Sequence, residues 1–328
     1  MKIIFFDSDK RVRDFYKEKK FGRAKIEFVP GSAKGSKDAV AISIDVKSKM
    51  DAVMIAKFPN LKLIATRSTG FDHIDADYCR QHGIKIANVA GYGEIAVAEF
   101  AIGLLLALMR KIFLAASDLR AGRIDMPKYL GHDISGKTIG IFGTGAIGSH
   151  FAKLVHAFGA HVIAHDRNKN PKLSKIVEYV NLDTLYRQSD IVALNIPANA
   201  DNYHIINAAA IKKMKRGVIL LNVARGELID AGALYNALLS GKVGGVAVDV
   251  LEQEQALTTT AGMHGLSCVD ALIVLYNKKM LNMDNVIVTP HAAFNSAEAN
   301  ARILDATFET LSAFANGKPY KTISLFSA

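Results

Sequence analysis

The chain has 328 residues, half of them apolar, which is enough for two packed cores. Its longest apolar run, residues 100–109, is broken by Gly103 and is too short to cross a bilayer, and residues 1–7 read as a buried strand without signal-peptide chemistry. The net charge of +10 comes from scattered lysines whose densest cluster, residues 10–20, is interleaved with Asp14 and Glu18; this predicts a solvated basic face and argues against a nucleic-acid or membrane partner.

From the N-terminus, short β-rich runs at 2–6, 25–28, 39–43, 63–66 and 85–87 alternate with helical stretches near 10–19, 50–57 and 75–82. That rhythm predicts a parallel sheet covered by helices on both faces. The turn Arg67-Ser-Thr-Gly-Phe-Asp72 follows a strand, and Gly70 would let backbone approach a ligand; a plain surface turn is the equal alternative. Gly91-Tyr-Gly93 then leads into one long predicted helix, residues 94–121, with apolar side chains at nearly every position from Ile95 to Leu108. Such a helix is buried on several sides, as at a domain boundary or subunit interface, and Gly122 is its expected stop. The two cysteines, Cys79 and Cys268, lack metal-like spacing; they predict incidental thiols in a reducing cytoplasm and no metal site.

After a loop at 124–135 containing Pro127, the β-branched run from Thr138 to Phe142 meets Gly143-x-Gly145-x-x-Gly148. A helical pattern follows, marked by Phe151, Leu154, Val155 and Phe158, and then a second apolar run, 161–165, that ends in Asp166. Strand, glycine turn, helix, strand and acid stand in the order a dinucleotide site requires. Gly143 would make the tight turn, Gly145 would admit a diphosphate, and Gly148 would let helix and strand pack closely. The diphosphate would rest on free N–H groups at the helix start. A carboxylate at Asp166 would take the ribose hydroxyls and repel a 2′-phosphate, favouring NAD over NADP, although Arg167 stands beside it.

The αβ alternation continues with a helix at 182–187, a strand at 191–195 ending at Pro197, a helix at 208–214 and a strand at 218–222. A helix at 234–239 leads to a strand at 245–250. After a long irregular stretch come Val286-Ile-Val-Thr-Pro290 and a final helix from 297 to 315, stopped by Asn316-Gly317. Three strand ends carry polar residues: Asn222-Val-Ala-Arg225-Gly226, Asp249-Val-Leu-Glu252-Gln-Glu254 and Thr289-Pro-His291. Ligands of open α/β sheets bind outside the carboxyl ends of the strands, so these loops should converge. Arginine offers a planar fork to a carboxylate and polarises a neighbouring carbonyl. Histidine passes a proton near neutral pH, and a nearby glutamate raises its pKa and orients it. Taken singly, each has a plain alternative: Arg225 as a surface-loop arginine, Glu254 as one acid of a solvated run, His291 as a turn histidine. Their joint position after three strand ends favours a site.

These residues resemble the D-2-hydroxyacid dehydrogenases, most closely the D-lactate dehydrogenase-like branch, over nearly the whole chain. The marks are Ala65-Thr-Arg-Ser-Thr-Gly-Phe-Asp-His-Ile-Asp75, Gly91-Tyr-Gly-Glu94, Val97-Ala-Glu99, Gly143-Thr-Gly-Ala-Ile-Gly148, Met214-Lys-Arg-Gly217, Asn222-Val-Ala-Arg-Gly226, Asp249-Val-Leu-Glu-Gln-Glu254 and Val286-Ile-Val-Thr-Pro-His-Ala-Ala-Phe294. The resemblance implies that Arg225 binds the substrate carboxylate and carbonyl, that His291 is the acid/base, and that Glu254 pairs with His291. It implies that Asp249 contacts the nicotinamide carboxamide, and that Thr144, Ala146, Ile147, Pro197, Val223 and Ala224 join the three glycines and Asp166 at the NAD. It places the substrate carboxylate on the backbone N–H groups of Thr69 and Gly70, with Tyr92 and Phe294 lining the side-chain pocket, in a cleft between two closing domains. The implied fold is α/β with two doubly wound parallel-sheet domains. A Rossmann NAD-binding domain, residues 96–296, is inserted into a discontinuous flavodoxin-like substrate domain, residues 1–95 and 297–328, both crossings serve as hinges, and the cofactor domain makes homodimer contacts.

The expected activity is reversible hydride transfer between NAD(H) and a D-2-hydroxy acid/2-keto acid pair, with pyruvate or a slightly larger keto acid as substrate. Rival readings are a glyoxylate/hydroxypyruvate reductase, a phosphoglycerate dehydrogenase, for which Arg67 is the only obvious extra cation, and an NAD-sensing corepressor-like binding protein. The chain departs from the family pattern at Ile95, where Asn or Ser commonly caps the long helix, and at Phe100 and Asn195, which stand in place of histidines. The run 255–283 is longer and less polar than in many relatives, and its His264 reads as a loop residue.

Overall fold

A computed structural model describes residues 1–30, 35–258 and 266–323, so His264 lies outside the described residues. In chain order the elements are β1 (Lys2–Phe6), α1 (Lys10–Lys17), β2 (Lys25–Val29), β3 (Ala39–Ile44), α2 (Ala52–Ile55), β4 (Leu63–Thr66), α3 (Ala76–Gln81) and β5 (Lys85–Ala87). They continue with α4 (Glu94–Met109), α5 (Ile112–Arg120), β6 (Thr138–Phe142), α6 (Ala146–Ala157), β7 (His161–His165), β8 (Glu178–Tyr179), α7 (Leu182–Gln188), β9 (Ile191–Leu194) and α8 (Ala208–Lys213). The last are β10 (Val218–Asn222), α9 (Ala231–Leu239), β11 (Val243–Val248), α10 (Glu254–Thr258), α11 (Cys268–Met280), β12 (Val286–Val288) and α12 (Ala297–Ala315). The chain divides into two compact units, Met1–Tyr92 with Ser296–Ala328, and Gly93–Asn295.

The first unit holds a five-stranded parallel sheet in the order β2-β1-β3-β4-β5, the flavodoxin-like arrangement. Side chains of a strand alternate between faces, and here both faces are covered, so β1 is apolar from Ile3 to Phe6. Ile3 and Phe5 pack with Tyr16 of α1 and Leu304 and Leu311 of α12, whereas Ile4 and Phe6 pack on the opposite face with Ile55, Phe58 and Cys79. The Tyr16 hydroxyl donates to the Leu304 carbonyl at 3.0 Å, which ties the C-terminal helix to the N-terminal one. Aspartates start the helices: Asp9, Asp51 and Asp75 accept from the N–H groups of Val12, Met54 and Tyr78.

The second unit holds a seven-stranded parallel sheet, β12-β11-β10-β9-β6-β7-β8. The chain runs outward from β6 through β7 to β8, then returns to the other side of β6 with β9. This reversal lies at the carboxyl ends of β6 and β9, the place where open α/β sheets bind ligands. Ala98, Ala101 and Leu105 of α4 pack with Phe151 and Val155 of α6 on one face, and Leu185, Ile211, Leu234 and Leu238 cover the other.

Three features differ from expectation. The single helix predicted over 94–121 is two, α4 and α5, bent by 63°. The Met109 carbonyl accepts from the His132 N–H at 2.9 Å, and Lys111 turns the chain with φ 54°. Gly131 makes this possible, since a Cβ there would lie 2.3 Å from the Met109 oxygen. The helix stop at Gly122 is as expected, with φ 72°. Secondly, the stretch read as irregular before β12 contains α10 and α11. Its apolar period is disguised because Val269, Leu272 and Leu275 are exposed while Ile273, Val274 and Met280 are buried. Thirdly, the two-residue edge strand β8 is too short for any periodic signal. Among the described residues no single helix is long and apolar enough to cross a membrane.

Candidate active site

The glycine turn closes β6 and opens α6 at the sheet's reversal. Gly143 has φ 83°, and a Cβ on Gly148 would lie 2.0 Å from the Gly143 carbonyl oxygen, so only glycine allows this packing. Around Gly145 the space is open: a Cβ there would meet nothing within 4 Å. No side chain caps the α6 N-terminus, which leaves its first-turn N–H groups available to an anion. Asn195, at the end of β9, has both side-chain amide atoms buried without a hydrogen-bond partner. Its Cβ would lie 3.3 Å from a Cβ placed on Gly148. An open glycine cradle, an uncapped helix start and an orphaned amide beside them fit the diphosphate end of a dinucleotide.

Asp166 ends β7 beside this turn. One carboxylate oxygen accepts from the Thr144 N–H at 2.6 Å and the Thr144 hydroxyl at 3.0 Å, and the other accepts from the Asn168 N–H at 2.9 Å. Burial alone would push the carboxyl up, but these donors outweigh it and hold it below the ordinary carboxylate range. An ionised acid on this rim suits a ribose diol and repels a phosphate. The Tyr179 hydroxyl donates to the Thr144 hydroxyl at 2.9 Å, so Thr144 is braced from both sides. Ala146 is exposed and Ile147 half-buried on the first turn of α6, and Pro197 is exposed just beyond β9.

The three polar strand ends do converge. After β10, the Asn222 amide folds its own loop, donating to the Arg225 carbonyl at 2.7 Å and accepting from the Ala224 N–H at 3.0 Å. Val223, Ala224 and Arg225 are half-buried along it. After β12, His291 adopts φ 53° and presents Nδ1 to Glu254 Oε1 at 2.9 Å. That hydrogen bond raises the His291 pKa against the lowering effect of burial, with the charges of Glu254 and Asp249 adding and that of Arg225 subtracting. For Glu254 burial acts upward, but the His291 hydrogen bond and charge, the Leu251 N–H and Arg225 hold the carboxyl below its usual value. The pair therefore joins a carboxyl whose pKa is held down to an imidazole whose pKa is held up, and the charge of Arg225 lowers both.

Asp249 follows β11 and faces the loop that carries His291. It is only 1% exposed, and its oxygens accept from the Thr289 hydroxyl at 2.5 Å and the N–H groups of Ala292 and Ala293 at 2.9 and 2.8 Å. Its carboxyl group braces the loop that carries His291, because buried polar oxygens need donors and this loop supplies three. Phe294 follows that loop, its Cβ 3.6 Å from a Cβ built on Gly93. In the first unit, Thr69 and Gly70 lie on the turn after β4. Ser68 donates to the Gly70 carbonyl at 2.7 Å and Asn88 to the Thr69 carbonyl at 2.7 Å. Among the described residues, no hydrogen bond is made from the Thr69 or Gly70 backbone N–H. Tyr92 closes that unit, its carbonyl accepting from Arg302 at 2.8 Å. Sequence reasoning missed the orphaned Asn195 amide and the bracing roles of Thr289 and Tyr179, none of which has a spacing signal.

Residues 102–293 match the family model described as D-isomer specific 2-hydroxyacid dehydrogenase, NAD binding domain. A hydroxypyruvate reductase of Thermotoga maritima is 40% identical over 256 residues, covering 78% of each chain. A D-lactate dehydrogenase of Curvularia clavata is 36% identical over 283 residues, 86% of this chain and 80% of that one. Among solved structures, the Aquifex aeolicus D-lactate dehydrogenase complexed with NAD and lactic acid aligns with a TM-score of 0.81 at 33% identity, covering 96% of each chain. The fold, the glycine turn with its acid, and these similarities agree: the chain belongs to the NAD-dependent D-2-hydroxyacid dehydrogenases.

Proposed function

We propose that the protein reduces pyruvate or a slightly larger 2-keto acid to the D-2-hydroxy acid, reversibly, as a D-lactate dehydrogenase. The observation that carries this reading is the 2.9 Å contact between Glu254 and His291. NAD(H), when bound, supplies or accepts the hydride. Glu254 holds the proton on His291 Nδ1, which leaves Nε2 to deliver a proton to the carbonyl oxygen or remove one from the hydroxyl. Arg225 binds the carboxylate and polarises the carbonyl. In the first unit, the Thr69–Gly70 turn has the unshared N–H groups that a carboxylate takes.

A hydroxypyruvate or glyoxylate reductase is the second reading, favoured by the 40% identity to the Thermotoga enzyme. A phosphorylated substrate is disfavoured. Arg67 is 8% exposed, and its guanidinium donates to the Ser43 hydroxyl at 2.9 Å and the Phe6 carbonyl at 2.8 Å, inside the first unit's sheet. We propose further that the chain is a homodimer through the second unit, where Ile112, Phe113, Leu119, Ile124, Met126 and Leu130 are all at least 49% exposed.

The decisive experiment is the initial rate of NADH oxidation with pyruvate, 2-ketobutyrate, phenylpyruvate, hydroxypyruvate and glyoxylate, repeated with NADPH. The expected result is the highest kcat/KM with pyruvate or 2-ketobutyrate, and slower turnover with NADPH because Asp166 opposes the 2′-phosphate. A higher kcat/KM with hydroxypyruvate or glyoxylate would replace the lactate reading with the second one. NADH binding without turnover of any keto acid would point to the sensor-like binding protein.

A further inference from the structure

The run Glu252-Gln253-Glu254 carries two carboxylates that engage two different imidazoles. Glu254 holds His291. Glu252 is 7% exposed, and its oxygens take the Tyr203 hydroxyl at 2.8 Å and His204 Nε2 at 2.9 Å. The two aromatic rings stack on each other, with centroids 3.9 Å apart and planes at 20°. From the other side the Asn277 amide of α11 donates to the Glu252 carbonyl at 2.8 Å, and Asn277 is 1% exposed. The proposed reaction does not use this second pair directly, yet it buries a carboxyl group with only Gln253 between it and the first.

The backbone between the two acids explains why that matters. Gln253 sits at φ 57°, a left-handed conformation that a residue with a Cβ adopts only when its surroundings impose it. On one side it is held by the ties of Glu252, and through its own amide by Asp270 of α11 at 2.8 Å. If the Glu252 ties were cut, Gln253 could relax to negative φ and swing Glu254 away from His291. The clamp also reaches the Arg225 loop. His204 N–H donates to the Glu227 carbonyl at 2.9 Å, and Ile206 bridges to Ile229. A Cβ on Gly226 would lie 2.1 Å from the Leu251 carbonyl carbon, so the loops of Arg225 and Glu254 pack backbone to backbone.

We propose that Glu252, clamped by Tyr203 and His204, is a positioning residue that sets the place of Glu254 against His291. This rests on the dehydrogenase reading only for its kinetic consequence, since the contact it sets is a property of the folded chain. The hydrogen bond to Glu252, helped by partial burial, pushes the Tyr203 hydroxyl up to about 12, so it remains a donor across the working range.

The test uses the full-length Y203F/H204N double variant, which leaves the Glu252 side chain in place. Asparagine is chosen at 204 because it tolerates left-handed backbone, and His204 has φ 50°. Glu252→Gln and Glu254→Gln are run alongside. The His291 imidazole is titrated by NMR on histidine-labelled protein, kcat and KM are measured for keto-acid reduction, and NADH affinity reports the fold. The expected result is a His291 pKa lowered by roughly half a unit or more in the double variant, with a larger drop in Glu254→Gln. The accompanying kcat should fall by about tenfold, with NADH affinity within about twofold of wild type. An unmoved His291 pKa in a double variant that binds NADH normally would overturn the proposal, whatever happens to kcat. If the pKa falls while wild type turns over no 2-keto acid, the positioning role stands and the dehydrogenase reading fails. Should Glu252→Gln not fold, the double variant alone decides.

Discussion

His291→Gln is expected to lower kcat for keto-acid reduction by ~10²–10⁴-fold, with NADH affinity nearly unchanged. The side chain keeps a hydrogen-bonding group of similar size near Glu254 but has no proton to give. Neither Glu254 nor Arg225 replaces it, because the Glu254 carboxyl is held below its usual pKa and a guanidinium does not act as a proton donor in water. The pH dependence follows from the same contact. Reduction needs protonated His291, and its pKa is raised, so kcat/KM for the keto acid should persist above the usual histidine range and fall as pH rises through that raised value. Oxidation of the hydroxy acid needs the neutral ring and should rise over the same interval. Removing the carboxylate in Glu254→Gln should move both limbs to lower pH. Steady-state rates across pH, in both directions, check this. A kcat near wild type for His291→Gln, with chemistry rate-limiting, would remove His291 from the mechanism.

The second large effect is at Arg225. Replacement by Gln should reduce kcat/KM by ~10²–10³-fold, equivalent to about 3–4 kcal/mol, because a charged, hydrogen-bonded partner of the substrate carboxylate is lost. Arg225→Lys should recover little. An ammonium is a point charge without the fork that grips two oxygens, and the Asn222 amide fixes the backbone on which the longer side chain was aimed. Most of the loss should appear in KM, with a further part in kcat from weaker polarisation of the carbonyl. Kinetics of the two variants test this. Arg225→Lys at wild-type kcat/KM would mean that the fork geometry is not used, and Arg225→Gln at wild-type kcat/KM that the side chain neither binds nor polarises the substrate.

Much of this was legible in the sequence because it is periodic or has an obligatory spacing. The central strands of both sheets are covered on both faces, so they appear as uninterrupted apolar runs such as Ile3 to Phe6 and Ile191 to Leu194. The glycine turn is legible because Gly143 and Gly148 have geometries that no other residue tolerates. What was hidden depends on groups distant in sequence. The break between α4 and α5 is set by a loop twenty residues on, whose His132 N–H takes the Met109 carbonyl. The inward turn of Asp249 needs Thr289, Ala292 and Ala293, forty residues away. Likewise, spacing does not distinguish Glu252 from Glu254; the left-handed Gln253 between them accompanies their division between His204 and His291.

The most direct test of the account is NADH formation from NAD with the separate D and L enantiomers of lactate and 2-hydroxybutyrate, followed by its near-ultraviolet absorbance. The arrangement of Arg225, Glu254 and His291 in a D-isomer specific family predicts turnover of the D enantiomer alone, lost in His291→Gln. Turnover of the L enantiomer at a comparable rate, or of the D enantiomer undiminished without His291, would contradict it.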